Sequence, residues 1–401
     1  MKKILLFLSA LTTGITAVTA QDEERAKALE VYGFVMTDIG YDFKSINPNW
    51  YDAMRVTKLP TYDGQYGPDG KVFFSVRQTR FGVKGWIPTP KGDVKTVFEF
   101  DMFGVGVDEG QTTMRLRHAY AEYGRFLVGQ TNSPFMDGDV WPNTVEYWGP
   151  TGMVFFRNIQ IRYAPVKDAN NQVFVALERP GASADQGTLD TRTELDSVKG
   201  HFQLPDLSAH YQRSGKWGHV QLAGMLRQIK WQDIHTGGGY DISDSKIGWG
   251  VHLSTVINLG KHDVFRGSLV YGEGIENYMN DAPTDLGVED NPGNPNKPIT
   301  GKPLPITGTL AYLDHTWNKH FATAIGYSSS YVQNTDFASP SAYKMGQYAS
   351  VNLVATPFSN AMIAAELQWG ERTSFNGYKG DDVKLQFSFK YNFSAALYRH
   401  N

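Results

Sequence analysis

The stretch 114-MRLRHAYAEYGRFLVGQTNSPFMDGDVWPNTVEYWGPTGMVFFRNIQIRY-163 decides how the rest of the chain is read. Met114 to Tyr123, Arg125 to Thr131 and Val154 to Ala164 alternate apolar and polar residues, the period of half-buried strands. Between them, Met136 to Met153 breaks the alternation and gathers Gly, Pro, Trp and carboxylates. Long structureless insertions are uncommon in compact domains and usually functional. The arrangement predicts a barrel wall that is left at Met136 by a loop folding back into the lumen and narrowing it.

The same period runs outward in both directions. Upstream it covers Val31 to Phe43, 71-KVFFSVRQTRFGVKGWIP-88 and 94-VKTVFEFDMFG-104. Downstream it covers Gln172 to Glu178, Leu207 to Arg213, His219 to Lys230, Lys246 to Leu259 and Val264 to Gly272. It continues through Gly308 to Trp317, Phe321 to Val332, Gln347 to Thr356, Ala361 to Glu371 and Val383 to Phe393. The total is sixteen segments. Short connections alternate with long ones such as Ser45 to Gly70, Pro180 to Pro205 and Glu276 to Leu304, as in outer-membrane barrels with short periplasmic turns and long external loops.

Where both faces of a strand are clear, one suits lipid and the other water. Ile247, Trp249, Val251, Leu253 and Ile257 oppose Lys246, His252, Ser254 and Asn258; Leu385, Phe387, Phe389, Tyr391 and Phe393 oppose Lys384, Gln386, Ser388, Lys390 and Asn392. A soluble sandwich would have to pair its apolar faces in a second layer, and nothing repeats at a propeller period. The fold class is therefore all-β, a sixteen-stranded antiparallel transmembrane β-barrel with a pore-constricting third loop.

Bulk composition agrees. Of 401 residues 13% are aromatic and 41 are glycine, which suits many strands and tight turns. The net charge of −3 argues for no nucleic-acid partner. With no cysteine there is no disulfide framework, thiolate metal site or lipid-anchor thiol. Residues 1 to 20 read as a signal peptide: MKK, an apolar run, then Val18-Thr19-Ala20 before Gln21. After it, no stretch reaches the length of a membrane-spanning helix. Residues 21 to 30 read as a short periplasmic segment, 31 to 393 as the barrel, and 394 to 401 as a C-terminal extension.

The segments 79-TRFGVKGW-86, 116-LRHAYAEYGRFLVGQTNSPF-135 and 385-LQFSFKYNF-393 resemble those of Gram-negative trimeric porins, and most closely the DcaP-like porins, whose combination of RHAYAEYG, GQTNSPFMD and WGPTG is matched here. The resemblance implies an outer-membrane homotrimer in contact with lipid, passive uptake of small anionic solutes with dicarboxylates typical, and no cofactor. Two departures stand out: the N-terminal extension common among relatives is reduced to Asp22 to Glu30, and the chain runs past Phe393 into SAALYRHN.

Period two places the pore charges. With Phe81 and Val83 facing lipid, Arg80 and Lys84 point inward; with Leu116 and Tyr120 outward, Arg115 and Arg117 do; with Ile159 and Ile161 outward, Arg162 does. Arg77 and Arg157 are out of phase and need a bulge or a strand end to enter. The loop carries Asp137, Asp139 and Glu146 with Trp141, Tyr147 and Trp148. Acids facing a basic wall across a gap give a transverse field that orients charged solutes, and five wall cations against three loop acids favour anions. His118 falls on the outward face, read either as a subunit-interface group or as a residue at headgroup level.

No catalytic residue or metal site emerges. Glu99 and Asp101 share a lumen face but lie too close to bracket a glycosidic bond with an attacking water. There is no Gly-x-Ser-x-Gly or His-Glu-x-x-His. The segment from Glu276 to Leu304 lacks the spacing of a calcium loop and reads as a surface loop. The expected function is a diffusion channel preferring small carboxylates. The alternatives are a general porin with little selectivity and an outer-membrane barrel enzyme.

Overall fold

Each alternating segment forms a strand in the computed structural model, which describes residues 27–235 and 239–399. In chain order the barrel strands are Lys27–Asp42, then Lys71–Ser75 continued by Arg80–Thr89, then Gly92–Phe103, Thr112–Tyr123, Phe126–Asn132, Arg157–Lys167, Asn171–Glu178 and Asp206–Gly215. The second eight are Gly218–Asp233, Asp244–Leu259, Asp263–Glu273, Pro305–Thr316, Phe321–Val332, Tyr343–Ala355, Ala361–Ser374 and Lys379–Tyr398. All neighbours are antiparallel, and the sixteenth strand pairs with both the fifteenth and the first, so the barrel is closed. Closure leaves no sheet edge running the length of the wall, which is what lets strands cross a bilayer. No helix among the described residues is long and apolar enough to cross one.

The two faces sort as the alternation requires. Ile247, Val251, Leu253, Phe387, Phe389 and Tyr391 are exposed on the outside, whereas His252, Ser254, Lys384, Gln386 and Ser388 are buried within.

Both chain ends depart from the sequence reading. Residues 27 to 30 are strand rather than lead-in, and the last strand runs to Tyr398 rather than stopping at Phe393, with Glu30 opposite Ala396 and Tyr32 opposite Ser394. The extra length is held by lumen-side charges: Glu30 pairs with Lys27 at 3.3 Å and Lys84 at 3.5 Å. Such polar pairs are natural where a strand projects beyond the hydrocarbon. The proposed signal peptide lies outside the described residues.

Inside the barrel, three connections rather than one supply the apolar core. Met54, Val56 and Leu59 from the first loop pack with Phe135, Met136, Val140 and Met153 of the third, and with Tyr278 and Met279. Glu276 to Leu304 is thus no simple surface loop. Its first turn enters the lumen and adds backbone pairing to the constriction loop, from Phe155 N to Tyr278 O at 3.0 Å and from Asn280 N to Met153 O at 2.8 Å. Apolar side chains at Ile275, Tyr278 and Met279 drive this, since each is buried only by turning inward.

Candidate pore constriction

The fourth strand sets the basic wall through an irregularity. Glu99 lies opposite His118 but Phe100 lies opposite Leu116, so Arg117 and His118 together oppose one step of the third strand. This is a β-bulge, which inserts one residue and shifts the phase beyond it. Arg115 and Arg117 face the lumen, and so do His118 and Tyr120, while Ala119 and Ala121 take the outward positions. The expected outward placement of His118 and Tyr120 is therefore corrected. His118 Nδ1 lies 3.0 Å from Thr131 Oγ1, and the Gln130 amide donates to the carbonyls of Leu116 and Arg117 at 3.2 and 3.3 Å beside the bulge.

Arg80, Arg115, Arg117 and Arg157 converge on a cavity of about 740 Å³. Arg157 enters because it opens the sixth strand where the loop rejoins the wall, and its guanidinium lies 5.0 Å from the Phe155 ring. Two carboxylates of the third strand meet these cations. Asp101 pairs with Arg115 at 2.7 Å and with Arg117 at 2.9 Å, while Glu99 pairs with Arg117 at 2.8 Å and Arg80 at 3.6 Å. Arg157 Nη1 and Arg80 Nε are buried without a hydrogen-bond partner among the described residues. On the wall strands four guanidiniums meet two carboxylates; the loops add Arg55 with Glu109 3.9 Å away, and Glu146, so the cavity keeps a smaller excess of positive charge.

The loop meets this wall with aromatic groups. Tyr147 stacks on Phe103 with centroids 3.9 Å apart, its hydroxyl donates to Asp101, and Arg117 donates to that hydroxyl at 3.1 Å. Trp148 and Trp50 meet edge-on with centroids 4.6 Å apart, both pack against the Arg55 guanidinium at 4.6 and 4.3 Å, and Arg55 Nε donates to Asp281 at 2.9 Å. Trp141 lines the cavity, edge-on to Phe155 at 5.0 Å.

Among the described residues, no loop acid is ion-paired with the arginines of the wall. Asp137 is buried against the opposite wall, 2.8 Å from His219 Nε2 and accepting from Ser254 Oγ at 2.6 Å. Burial raises its pKa, but these hydrogen bonds prevail and hold it below the usual carboxylate range. Asp139 is exposed near His219, and its backbone carbonyl accepts from Arg266. Glu146 accepts backbone N–H groups of Met54, at 2.9 Å, and Gly149, tying the third loop to the first. Burial pushes its pKa up to about 7, against the pull of Lys384 and those amides. Asp137 and Glu146 both serve as anchors; Glu146 also lines the arginine cavity, while the acids paired with the arginines belong to the wall itself.

Lys84 and Arg162 face the lumen but line neither this cavity nor its rim. Lys84 lies 4.1 Å from the Tyr32 ring and pairs with Glu30, and Arg162 lies over Phe174 at 4.3 Å. Arg77 occupies the break in the second strand, fully buried, and pairs with Asp52 at 2.6 Å as a loop anchor. Arg55 and Asn280 carry no periodic signal in the sequence, because each sits on an irregular loop.

The fold matches solved outer-membrane channels. The outer membrane channel DcaP of Acinetobacter baumannii superposes with a TM-score of 0.77 at 22% identity, over 91% of this chain and 97% of that one. An anion-selective porin from Comamonas acidovorans gives 0.58 at 10% identity, covering 92% and 100%. The trimer form of OmpT from Vibrio cholerae gives 0.54 at 12%, again over 92% and 100%. No curated protein sequence matches the chain. The family model for the DcaP outer membrane protein matches residues 8–393, so the chain belongs to that family and forms a porin channel in the outer membrane of a Gram-negative bacterium.

Proposed function

We propose that the channel is a passive diffusion pore that favours small anionic solutes, carboxylates foremost, and that it works as a homotrimer. The observation that carries the preference is the excess of guanidinium on the wall of the constriction, where Arg157 has no ion-pair partner among the described residues and Arg80 has Glu99 only at 3.6 Å. Guanidiniums not fully matched by carboxylates offer charge-assisted hydrogen bonding to a passing carboxylate through their accessible N–H groups. In a narrow, low-dielectric passage an unneutralised cation also raises the local concentration of anions. The name of the Comamonas neighbour accords with this reading.

The competing reading is a general porin with little selectivity, favoured by the half-neutralisation of the wall by Glu99 and Asp101. Reversal potentials in a salt gradient across a planar bilayer decide between them. An anion-selective wild type whose preference falls in Arg80→Ala/Arg157→Ala supports the proposal; no wild-type preference leaves the general porin.

The homotrimer is supported by the wall beside the bulge. The fourth and fifth strands pair only from Ala119 opposite Gln130 to Tyr123 opposite Phe126, so Thr112 to His118 lack a strand partner on that side among the described residues. An uncovered edge is unfavourable in lipid, and a neighbouring subunit supplies the cover. Light scattering of the detergent-solubilised protein tests this: three chains per particle are expected, and a monomer would refute it.

A further inference from the structure

We propose that a second anion station lies on the external side of the constriction, where Lys58 and Arg372 line a polar cavity of about 360 Å³ that meets the constriction at Arg55. The station binds a small carboxylate and passes it to the guanidinium wall. This inference rests on the anion preference proposed above and gives it a route.

The cavity is formed by connections that leave the external strand ends: the first loop with Arg55 and Lys58, the segment after Asp281, the stretch from Ser339 to Tyr343, and Arg372 near the end of the fifteenth strand. Its cations are differently committed. Arg372 donates Nη1 to Thr57 O and Nη2 to Ser341 O, at 2.5 Å in the latter case, which fixes the plane of the guanidinium. Its Nε is buried without a hydrogen-bond partner among the described residues. Enclosed as it is, that Nε does not meet a solute; Arg372 serves the cavity through its charge and the second proton on each Nη, for which a carboxylate oxygen is a fitting acceptor. Lys58 is half-buried at the rim, and no carboxylate lies within ion-pair distance of its ammonium among the described residues.

One acid lines the same space. Asp185 accepts the Gly187 amide at 2.9 Å with one carboxylate oxygen, so it serves its own turn. Lys58 and Arg372 against Asp185 leave the cavity positive. Arg55 is the residue common to both cavities. Its Nε is held by Asp281, its Nη1 lies 3.9 Å from Glu109, and Trp50 and Trp148 pack against it, so its position at the junction is fixed. An anion leaving Lys58 and Arg372 thus meets Arg55 before it reaches Arg115 and Arg117. Such spacing suits conduction, because each site binds well enough to admit the ion and weakly enough to release it.

The test uses the whole protein in planar bilayers, in channels of known insertion direction, with succinate as the probe. Brief current blocks give its on-rate from each side, and the reversal potential in a salt gradient gives the selectivity of the constriction. Lys58→Ala is expected to lower the external on-rate by about threefold or more. The periplasmic on-rate and the reversal potential should stay near wild type, and Lys58→Arg should restore the rate. Arg372→Gln, which keeps a planar amide at the site, should lower the same rate. If the wild type prefers anions but neither variant changes the external on-rate, the station is refuted and the anion preference stands. If the wild type shows no anion preference, both fall.

Discussion

His219 Nε2 lies 2.8 Å from Asp137 Oδ2, binding the base of the constriction loop to the ninth strand, on the far side of the lumen from the arginine wall. The contact sits beside two others, Gln221 to the carbonyl of Met136 at 3.2 Å and His252 Nδ1 to that of Phe135 at 2.9 Å. Neighbouring strands thus grip three consecutive loop residues. This geometry turns an acid that by sequence belongs to the pore field into a fastening.

Removing that fastening should loosen the loop without altering the sign of selectivity. A hydrogen bond to a charged group is worth roughly 1.5–3 kcal/mol, so His219→Ala should leave the loop sampling positions away from the wall. Single-channel recordings should show a larger and noisier conductance, with reversal potentials still on the anion side. An unchanged, quiet conductance would show that the Gln221 and His252 contacts hold the loop alone.

Arg117 and Arg157 make a contrasting pair. Arg117 contacts Glu99, Asp101 and the Tyr147 hydroxyl, whereas Arg157 has no ion-pair partner among the described residues. Arg157→Ala should weaken anion preference and leave the barrel as stable as before. Arg117→Ala takes one partner from each of two carboxylates, which keep Arg115 and Arg80, and one donor from the Tyr147 hydroxyl; breaking a buried pair costs about 3–5 kcal/mol, and less where other partners and lumen water remain. The Arg117 variant should therefore unfold at lower temperature in detergent and move the reversal potential further toward cations. Equal effects of the two substitutions would contradict the assigned pairings.

The contrast also shows what alternation does and does not reveal. Lipid-facing and lumen-facing rows were legible throughout, since every barrel strand must separate grease from water along its length. The phase slip at Arg117 and His118 was not, because a bulge leaves composition unchanged; its trace is the adjacent polar pair, after which Ala119 and Ala121 replace the expected outward large residues. Arg157 was recognisable as out of phase, and the strand end admits it. The roles of Asp137 and Glu146 were hidden because their partners, His219, Ser254 and the Met54 amide, lie far away in sequence. The inward turn of Ile275 to Asn280 was hidden for a similar reason: a short apolar cluster in a polar loop states no direction.

Glu146 makes the link between first and third loops depend on pH. Its folded-state pKa is raised from 4.5 to about 7, chiefly by burial, so the folded protein holds a proton that the unfolded chain has released. Stability from this group is greatest below about pH 4.5 and declines as pH rises toward 7, because the unfolded state binds fewer protons in that window. Thermal unfolding in detergent should show a midpoint falling between pH 5 and pH 8. Glu146→Gln, which keeps the acceptor for Met54 and cannot ionise, should flatten that part of the slope. A variant with the wild-type slope would assign the dependence to other groups.

Gly152 fixes how closely the loop lies against the wall. A methyl group there would meet Ser329 O at 2.1 Å and Thr309 O at 2.4 Å, both backbone atoms of strands that cannot yield. Across the contact, Gly308 is equally bare, with Gly152 O only 2.4 Å from where its own Cβ would stand. Ser328 Oγ, on the same wall, accepts the Gly152 amide at 2.7 Å. Gly152→Ala must therefore displace the loop, at about 1–3 kcal/mol for overpacking, and the barrel wall leaves only the lumen as the direction of movement. The variant should conduct less per channel than wild type, the opposite of the change expected for His219→Ala, and Gly308→Ala should act in the same sense. Conductance equal to wild type in both alanine variants would mean that the loop does not rest on this glycine contact.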